Sequence, residues 1–190
     1  MTDTGSLKLL RTTDVEKYRR IFLDVHVEVR TEFGLMDSPF NAVDRFDERL
    51  TSYASRDGWG AVIALDGDEE PVGYIFGGPL APGSRWWTSM RQVPPDDFTR
   101  ETGTRTFAVQ EVLVRKAYRG TAGAGVSRML HETLLAERSE ERATLLVDAS
   151  RSDGRLRAVY ESWGYRDIGP QQPFDDSPVF ATMMRDPLKE

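Results

Sequence analysis

The chain of 190 residues contains no cysteine and only two histidines. Without cysteine there are no disulfides, no thiol nucleophile and no zinc site built on thiolates. His26 and His131 are too far apart in sequence to form a local metal motif, so no metal is expected. No apolar run approaches the length of a bilayer span. The opening residues Met1-Thr-Asp-Thr-Gly-Ser6 lack the basic and apolar regions of a secretory leader. Positive charge is not in excess either. The 25 Lys and Arg against 31 Asp and Glu leave a net charge of -6, which speaks against nucleic acid or an anionic membrane as partner. A cytoplasmic protein is expected.

What is present suits a packed core. The hydrophobic fraction is 39% and there are four tryptophans. The length fits one domain over residues 1–190, with neither internal repeat nor linker. Leu7 to Leu10 reads as a short strand. Thr13 or Asp14 then caps a helix running to about Gly34, whose Tyr18, Ile21, Phe22, Val25 and Val29 recur at steps of three and four. A second helix is expected from Ala42 to Ser55. Trp59 to Leu65 and Val72 to Phe76 read as antiparallel strands around the turn Asp66-Gly67-Asp68.

The irregular stretch from Pro79 to Arg105 is long for a compact domain, and such loops are often functional. Trp86 and Trp87 within it suit either a pocket wall or a packed anchor. Thr106 to Val114 is a strong strand, followed by the basic turn Arg115-Lys-Ala-Tyr-Arg119, the run Gly120-Thr-Ala-Gly-Ala-Gly125 and a helix to about Arg138. A strand over 143–148, a helix over about 154–163 and two final strands near 165–168 and 179–184 complete the order. This pattern predicts a mixed sheet with helices on both faces.

A strand, a basic turn, several glycines and a helix start together make an anion site. Glycine lets a ligand approach the backbone, and free amides at the helix start favour negative charge. Arg115, Lys116, Arg119 and Arg128 add local positive charge, and a diphosphate fits the chemistry; a solvated surface loop is the plainer alternative. A dinucleotide fold fits less well. A basic turn separates Val114 from the glycines, and Arg128 occupies the third glycine position, although Asp148 follows at about the right distance. The triphosphate-binding loop, with Lys-Ser/Thr after its last glycine, is absent.

The segment Phe107 to Gly169 resembles the GNAT superfamily, the acyl-CoA-dependent N-acyltransferases. The resemblance rests on Glu-Val-Leu-Val-Arg-Lys-Ala-Tyr-Arg-Gly at 111–120, the glycine run ending at Gly125 and its helix, and Ala158-Val-Tyr-Glu-Ser-Trp-Gly-Tyr165. It implies an α/β fold whose mixed, mostly antiparallel central sheet is flanked by helices and splayed between strands 4 and 5. It also implies acetyl-CoA as co-substrate and an amine-bearing acceptor. The family loop Arg/Gln-x-x-Gly-x-Gly/Ala is irregular here. Counted from Arg119 it puts Ala122 and Ala124 at the small positions; counted onto Gly125 it puts Ala122 at the Arg/Gln position and Ser127 at the last small one. The coenzyme site implied is Arg119, Gly120, Thr121, Ala122, Gly123, Ala124, Gly125 and Val126 for the diphosphate. The backbone of Leu113 and Val114 would align the pantetheine arm as an added strand.

Aminolysis of a thioester needs a base for the amine, a donor for the oxyanion and a proton for the thiolate. Tyr160 matches the tyrosine that the resemblance places at the coenzyme sulfur; packing on the sheet is the alternative. Glu111, charged within an apolar strand, is the candidate base, or else a carboxylate at a solvated strand edge or paired with an arginine. Asp153 stands where relatives bind coenzyme with asparagine, but a helix cap is favoured. His131 reads as a surface or boundary residue; His26 reads as a packing residue, with a minor candidacy at the acceptor site that the resemblance implies beside the first helices. The whole reads as an acetyl-CoA-dependent N-acetyltransferase working by direct transfer. A non-catalytic acyl-CoA sensor on the same fold and a nucleotide-dependent oxidoreductase are the competing functions, and a homodimer is compatible with the sequence.

Overall fold

Asp14 begins the first helix as the sequence predicts. In the computed structural model its side chain accepts a hydrogen bond from the Lys17 amide at 3.0 Å, satisfying one of the orphan donors of the first turn. The structure describes residues 7–119, 125–148, 150 and 154–188. In chain order the elements are β1 (Lys8–Thr12), α1 (Val15–Glu32), α2 (Val43–Ala54), β2 (Gly60–Leu65), β3 (Pro71–Pro79), α3 (Asp96–Thr99), β4 (Thr106–Val114), α4 (Val126–Leu135), β5 (Arg142–Asp148), α5 (Arg155–Ser162), β6 (Arg166–Gln171) and β7 (Phe180–Arg185). The strands form one mixed seven-stranded sheet in the order β1-β2-β3-β4-β5-β7-β6.

Two units are discernible, each discontinuous in sequence. The first is Met1–Gly78 with Gln110–Arg138, and the second is Pro79–Val109 with Ser139–Glu190. β4 therefore contributes its end to the first and its beginning to the second.

In the first unit β1, β2 and β3 pair antiparallel. Side chains alternate across a strand, so Ala61, Ile63 and Leu65 share one face, with Tyr74 and Phe76 beside them. The apolar stripe of α1 (Phe22, Val25, Val29) and that of α2 (Phe46, Leu50) cover this face. Phe22 is the hub, meeting Tyr74 edge-on at 5.0 Å and Phe76 at 5.8 Å between ring centroids. On the other face α4 packs against β2 and β1.

In the second unit β4 and β5 run parallel from Thr106↔Arg142 to Val109↔Leu145. β7 pairs antiparallel with β5 along 143–148 and with β6 on its other side. The stretch between Pro79 and Arg105 lacks periodicity but is not without structure. It contains a 3-10 turn at Trp87–Ser89 and the short α3. Leu80, Trp87 and Met90 bury against Ala108 and Met184. Trp87 Nε1 donates to Glu101 Oε1 at 2.8 Å, so Trp87 is a packed anchor rather than a pocket wall. Arg142 donates to Thr106 Oγ1 (2.8 Å), the Phe98 carbonyl (2.6 Å) and Glu101 Oε1 (3.3 Å). None of the described helices is long and apolar enough to cross a membrane.

Candidate active site

The end of β4 is shaped by close approach of β3. A Cβ built on Gly73 would lie 2.6 Å from the Leu113 carbonyl oxygen and 3.0 Å from Val114 Cα, so only glycine fits there without a main-chain shift. The Arg115 amide closes this end of the strand by donating to the Val72 carbonyl at 2.9 Å. Leu113 sits in the core with α1 and α2, as expected for a strand residue whose contribution to a ligand would come from its backbone.

Arg119 is engaged on three sides. Its Nε donates to the Val114 carbonyl at 2.9 Å, its Nη2 pairs with Glu32, and its guanidinium lies 4.7 Å from the centre of the Phe33 ring. It thus ties the β4 end to the C-terminal end of α1. Arg115 is paired as well, with Glu28 at 3.0 Å. Arg128 is solvent-exposed on α4.

Gly125 is the N-cap of α4, and among the described residues no side chain caps that helix. No acidic residue occupies its first turn either. An anion is the natural complement of such a helix start. Val126, the first helical residue, is buried. Gly120, Thr121, Ala122, Gly123, Ala124 and Asp153 lie outside the described residues.

Glu111 projects from β4 on the face covered by α1. Its Oε1 accepts from Arg30 Nη2 at 2.7 Å, and the two side chains are only 16% and 18% exposed. Both the expected carboxylate and an arginine partner are therefore present. The sequence did not single out Arg30, because it stands on α1, 81 residues from Glu111 along the chain. His26, one turn before Arg30, is fully buried. Its ring stacks on Phe46 at 3.9 Å and its Nε2 lies 2.8 Å from the Asn41 carbonyl. Burial, more than any charge, holds its imidazole below the usual histidine range.

Tyr160 lies on α5 in the second unit, 5% exposed, edge-on to Trp163 at 5.0 Å and to Tyr165 at 6.0 Å. The left-handed Gly164 turns the chain so that the Tyr165 amide donates to the Tyr160 carbonyl at 3.1 Å. The Tyr-x-x-x-Gly-aromatic block is thereby a helix end that packs three aromatic rings together. His131 differs from expectation. It lies one step beyond the apolar stripe of α4 yet is only 1% exposed, because Leu130, Leu134 and Leu135 widen the buried side of the helix to include it. Among the described residues no group of three or more potential metal ligands occurs.

No family model matches the chain. No curated protein does either. Solved structures do. An acetyltransferase from Thermus thermophilus superposes with a TM-score of 0.63 at 17% identity, covering 95% of this chain and 96% of that one. A protein from Desulfovibrio desulfuricans described as an acetyltransferase of the GNAT family gives 0.62 at 13% identity, covering 95% and 99%. The spermidine/spermine N-acetyltransferase of Vibrio cholerae gives 0.57 at 11% identity, covering 96% and 94%. At such identities the likeness speaks for architecture, and with the strand order above it leads to one statement: the chain has the GNAT fold.

Proposed function

We propose that the protein is an N-acyltransferase that moves an acetyl or other acyl group from acyl-CoA to a primary amine by direct attack in a ternary complex. The observation that carries this reading is the end-to-end match to acetyltransferase folds, combined with an uncapped helix start directly after the basic turn and glycine run. Residues 1–190 are taken as one catalytic domain. The α4 start, Gly125 and Val126 with the residues from Arg119 to Ala124, binds the diphosphate. Arg119 also braces the strand end by holding the Val114 carbonyl. The backbone of Leu113 and Val114 aligns the pantetheine arm.

In the reaction, Glu111, oriented by Arg30, receives a proton from the acceptor ammonium, and the free amine attacks the thioester carbonyl. Collapse of the tetrahedral adduct breaks the carbon–sulfur bond. Tyr160 gives its phenolic proton to the departing sulfur and is restored by the second proton of the amine nitrogen. Amide, free coenzyme thiol and one proton released to solvent result, so atoms and charge balance. An acidic chain suits a cationic acceptor, and the Vibrio cholerae protein of the same fold is a spermidine/spermine N-acetyltransferase. A polyamine-like amine is accordingly the first class to screen.

The test is release of coenzyme thiol from acetyl-CoA in the presence of a panel of amines. Tyr160→Phe should lower kcat by about 100-fold while leaving KM for acetyl-CoA within a few-fold, the size expected for loss of one general acid. A coenzyme sensor without catalysis is favoured by one observation, the engagement of Glu111 by Arg30. Binding of acetyl-CoA without amine-dependent thiol release would select that reading instead.

A further inference from the structure

Aminolysis needs a base, an acid and a donor for the oxyanion that forms when the amine adds to the thioester. Glu111 and Tyr160 fill the first two roles. The middle of β4 holds a residue suited to the third. β4 is the central strand of the seven, and both its ends are buried, yet Gln110, Glu111 and Val112 in its middle are only half-buried. Pairing with β5 stops at Val109↔Leu145 although both strands continue, so Gln110 is the first residue of β4 beyond that ladder.

Gln110 also carries an unpaired polar atom. Six buried side-chain atoms of the first unit lack a hydrogen-bond partner among the described residues: His26 Nδ1, Arg30 Nε, Trp59 Nε1, Tyr74 Oη, Gln110 Oε1 and Arg115 Nε. Five are explained locally. His26, Arg30 and Arg115 are held through the same side chains by the Asn41 carbonyl, Glu111 and Glu28. The rings of Trp59 and Tyr74 belong to the apolar core, which accounts for their burial. Gln110 has neither explanation. Its amide makes no hydrogen bond among the described residues, so the strand tolerates a buried oxygen without a partner. A methionine would fill the same place without that cost. With the oxygen turned inward, the amide nitrogen, which is the donor, takes the accessible side of this half-buried group.

We propose that Gln110 Nε2 is the donor to the oxyanion. This rests on the acyltransferase reading above. The diphosphate site at the α4 start follows the Val114 end of β4. An arm aligned on Leu113 and Val114 therefore runs back along the strand, and its thioester falls beside the stretch from Val112 to Gln110. Leu113 and Gln110 are about 10 Å apart at about 3.3 Å per residue. Side chains alternate, so Glu111 and Gln110 flank that stretch from opposite faces of the sheet. As the amine lone pair adds from the Glu111 side, the carbonyl π pair moves onto oxygen, and the oxygen bends away from the incoming nitrogen, toward Gln110. The amide N–H donates to it and keeps its proton. The electron pair then returns to carbon, the carbon–sulfur bond breaks, and the sulfur leaves with the pair of that bond.

Gln110→Met keeps the size of the side chain and removes both polar atoms. The expected result is a kcat lower by about 100- to 1,000-fold, the usual effect of losing one oxyanion donor. KM for acetyl-CoA and affinity for CoA should stay within a few-fold, and the thermal midpoint should hold or rise, because the unpaired oxygen is gone. Gln110→Glu should be at least as slow at neutral pH, since a carboxylate opposes the oxyanion and has no proton to donate. A residue that only packs would move the midpoint and leave kcat alone. Wild-type kcat in folded Gln110→Met overturns the assignment. So does a Gln110→Glu enzyme that is faster than Gln110→Met and has a lower KM for the amine, since Gln110 would then serve the ammonium and not the oxyanion. Absence of amine-dependent thiol release in the wild type overturns the acyltransferase reading, and this assignment with it.

Discussion

Replacing Glu101 by alanine is expected to destabilise the protein by about 3–5 kcal/mol, the usual cost of stripping one partner from a buried ion pair. The Glu101 side chain is 1% exposed and that of Arg142 is 3% exposed. One carboxylate oxygen accepts from the Trp87 indole, the Thr106 hydroxyl and the Arg142 guanidinium. Burial is the main influence lowering the Arg142 pKa, so charge there is held only with compensation, and Glu101 supplies it. Without the carboxylate the guanidinium would keep its bonds to Thr106 and Phe98 but lose its counter-charge, and the loop carrying Trp87 would lose its tie to β4 and β5. Urea unfolding should show the loss as a lower midpoint. Glu101→Gln should lose less, since one acceptor oxygen remains. The pair Glu101→Leu with Arg142→Met should recover much of the stability, as buried ion pairs replaced together often do. A Glu101→Ala protein within about 0.5 kcal/mol of wild type, the range of an ordinary surface change, would contradict the assignment.

Gly73→Ala carries the second large effect, and it reads on function as well as stability. The new methyl would meet the Leu113 carbonyl and Val114 Cα, which are main-chain atoms that no rotamer change can move aside. β3 and the end of β4 must separate, at a cost of about 1–3 kcal/mol typical of overpacking. If the backbone of Leu113 and Val114 aligns the pantetheine arm, CoA affinity should fall at least about tenfold, equivalent to about 1.4 kcal/mol. Calorimetry on the folded variant measures this directly. Reduced stability with unchanged CoA affinity would mean that the coenzyme does not use this strand end.

These two sites differ in how far sequence could reveal them. Gly73 interrupts the apolar run Val-Gly-Tyr-Ile-Phe, and a glycine inside a strand pattern signals close backbone approach, though not to which strand. The Glu101–Arg142 pair left no such trace. Glu101 sits in a stretch without periodicity and Arg142 at the head of a strand, and 41 residues separate them, so only the folded sheet brings them together. The alternation of β4 and the stripe of α1 were legible because each buries a single face, and Asp14 was legible because capping is local. Glu111 stood out as a charge in an apolar strand. Its partner Arg30 did not, since an arginine in an amphipathic helix ordinarily points to solvent. His131 was misplaced by one helical step, because a stripe drawn through Val126, Leu130 and Leu134 underestimates the width of the face that α4 buries. The composition of the run from Gly120 to Ala124 led to the expectation of an anion site, and these residues lie outside the described ones.

The most direct test of the account is calorimetric titration of one protein sample with acetyl-CoA, CoA and NADH. Saturable micromolar binding of both coenzyme A species, with none for NADH, is the predicted result. No binding of either coenzyme A species at millimolar concentration would contradict the proposed function and leave the GNAT fold without its coenzyme.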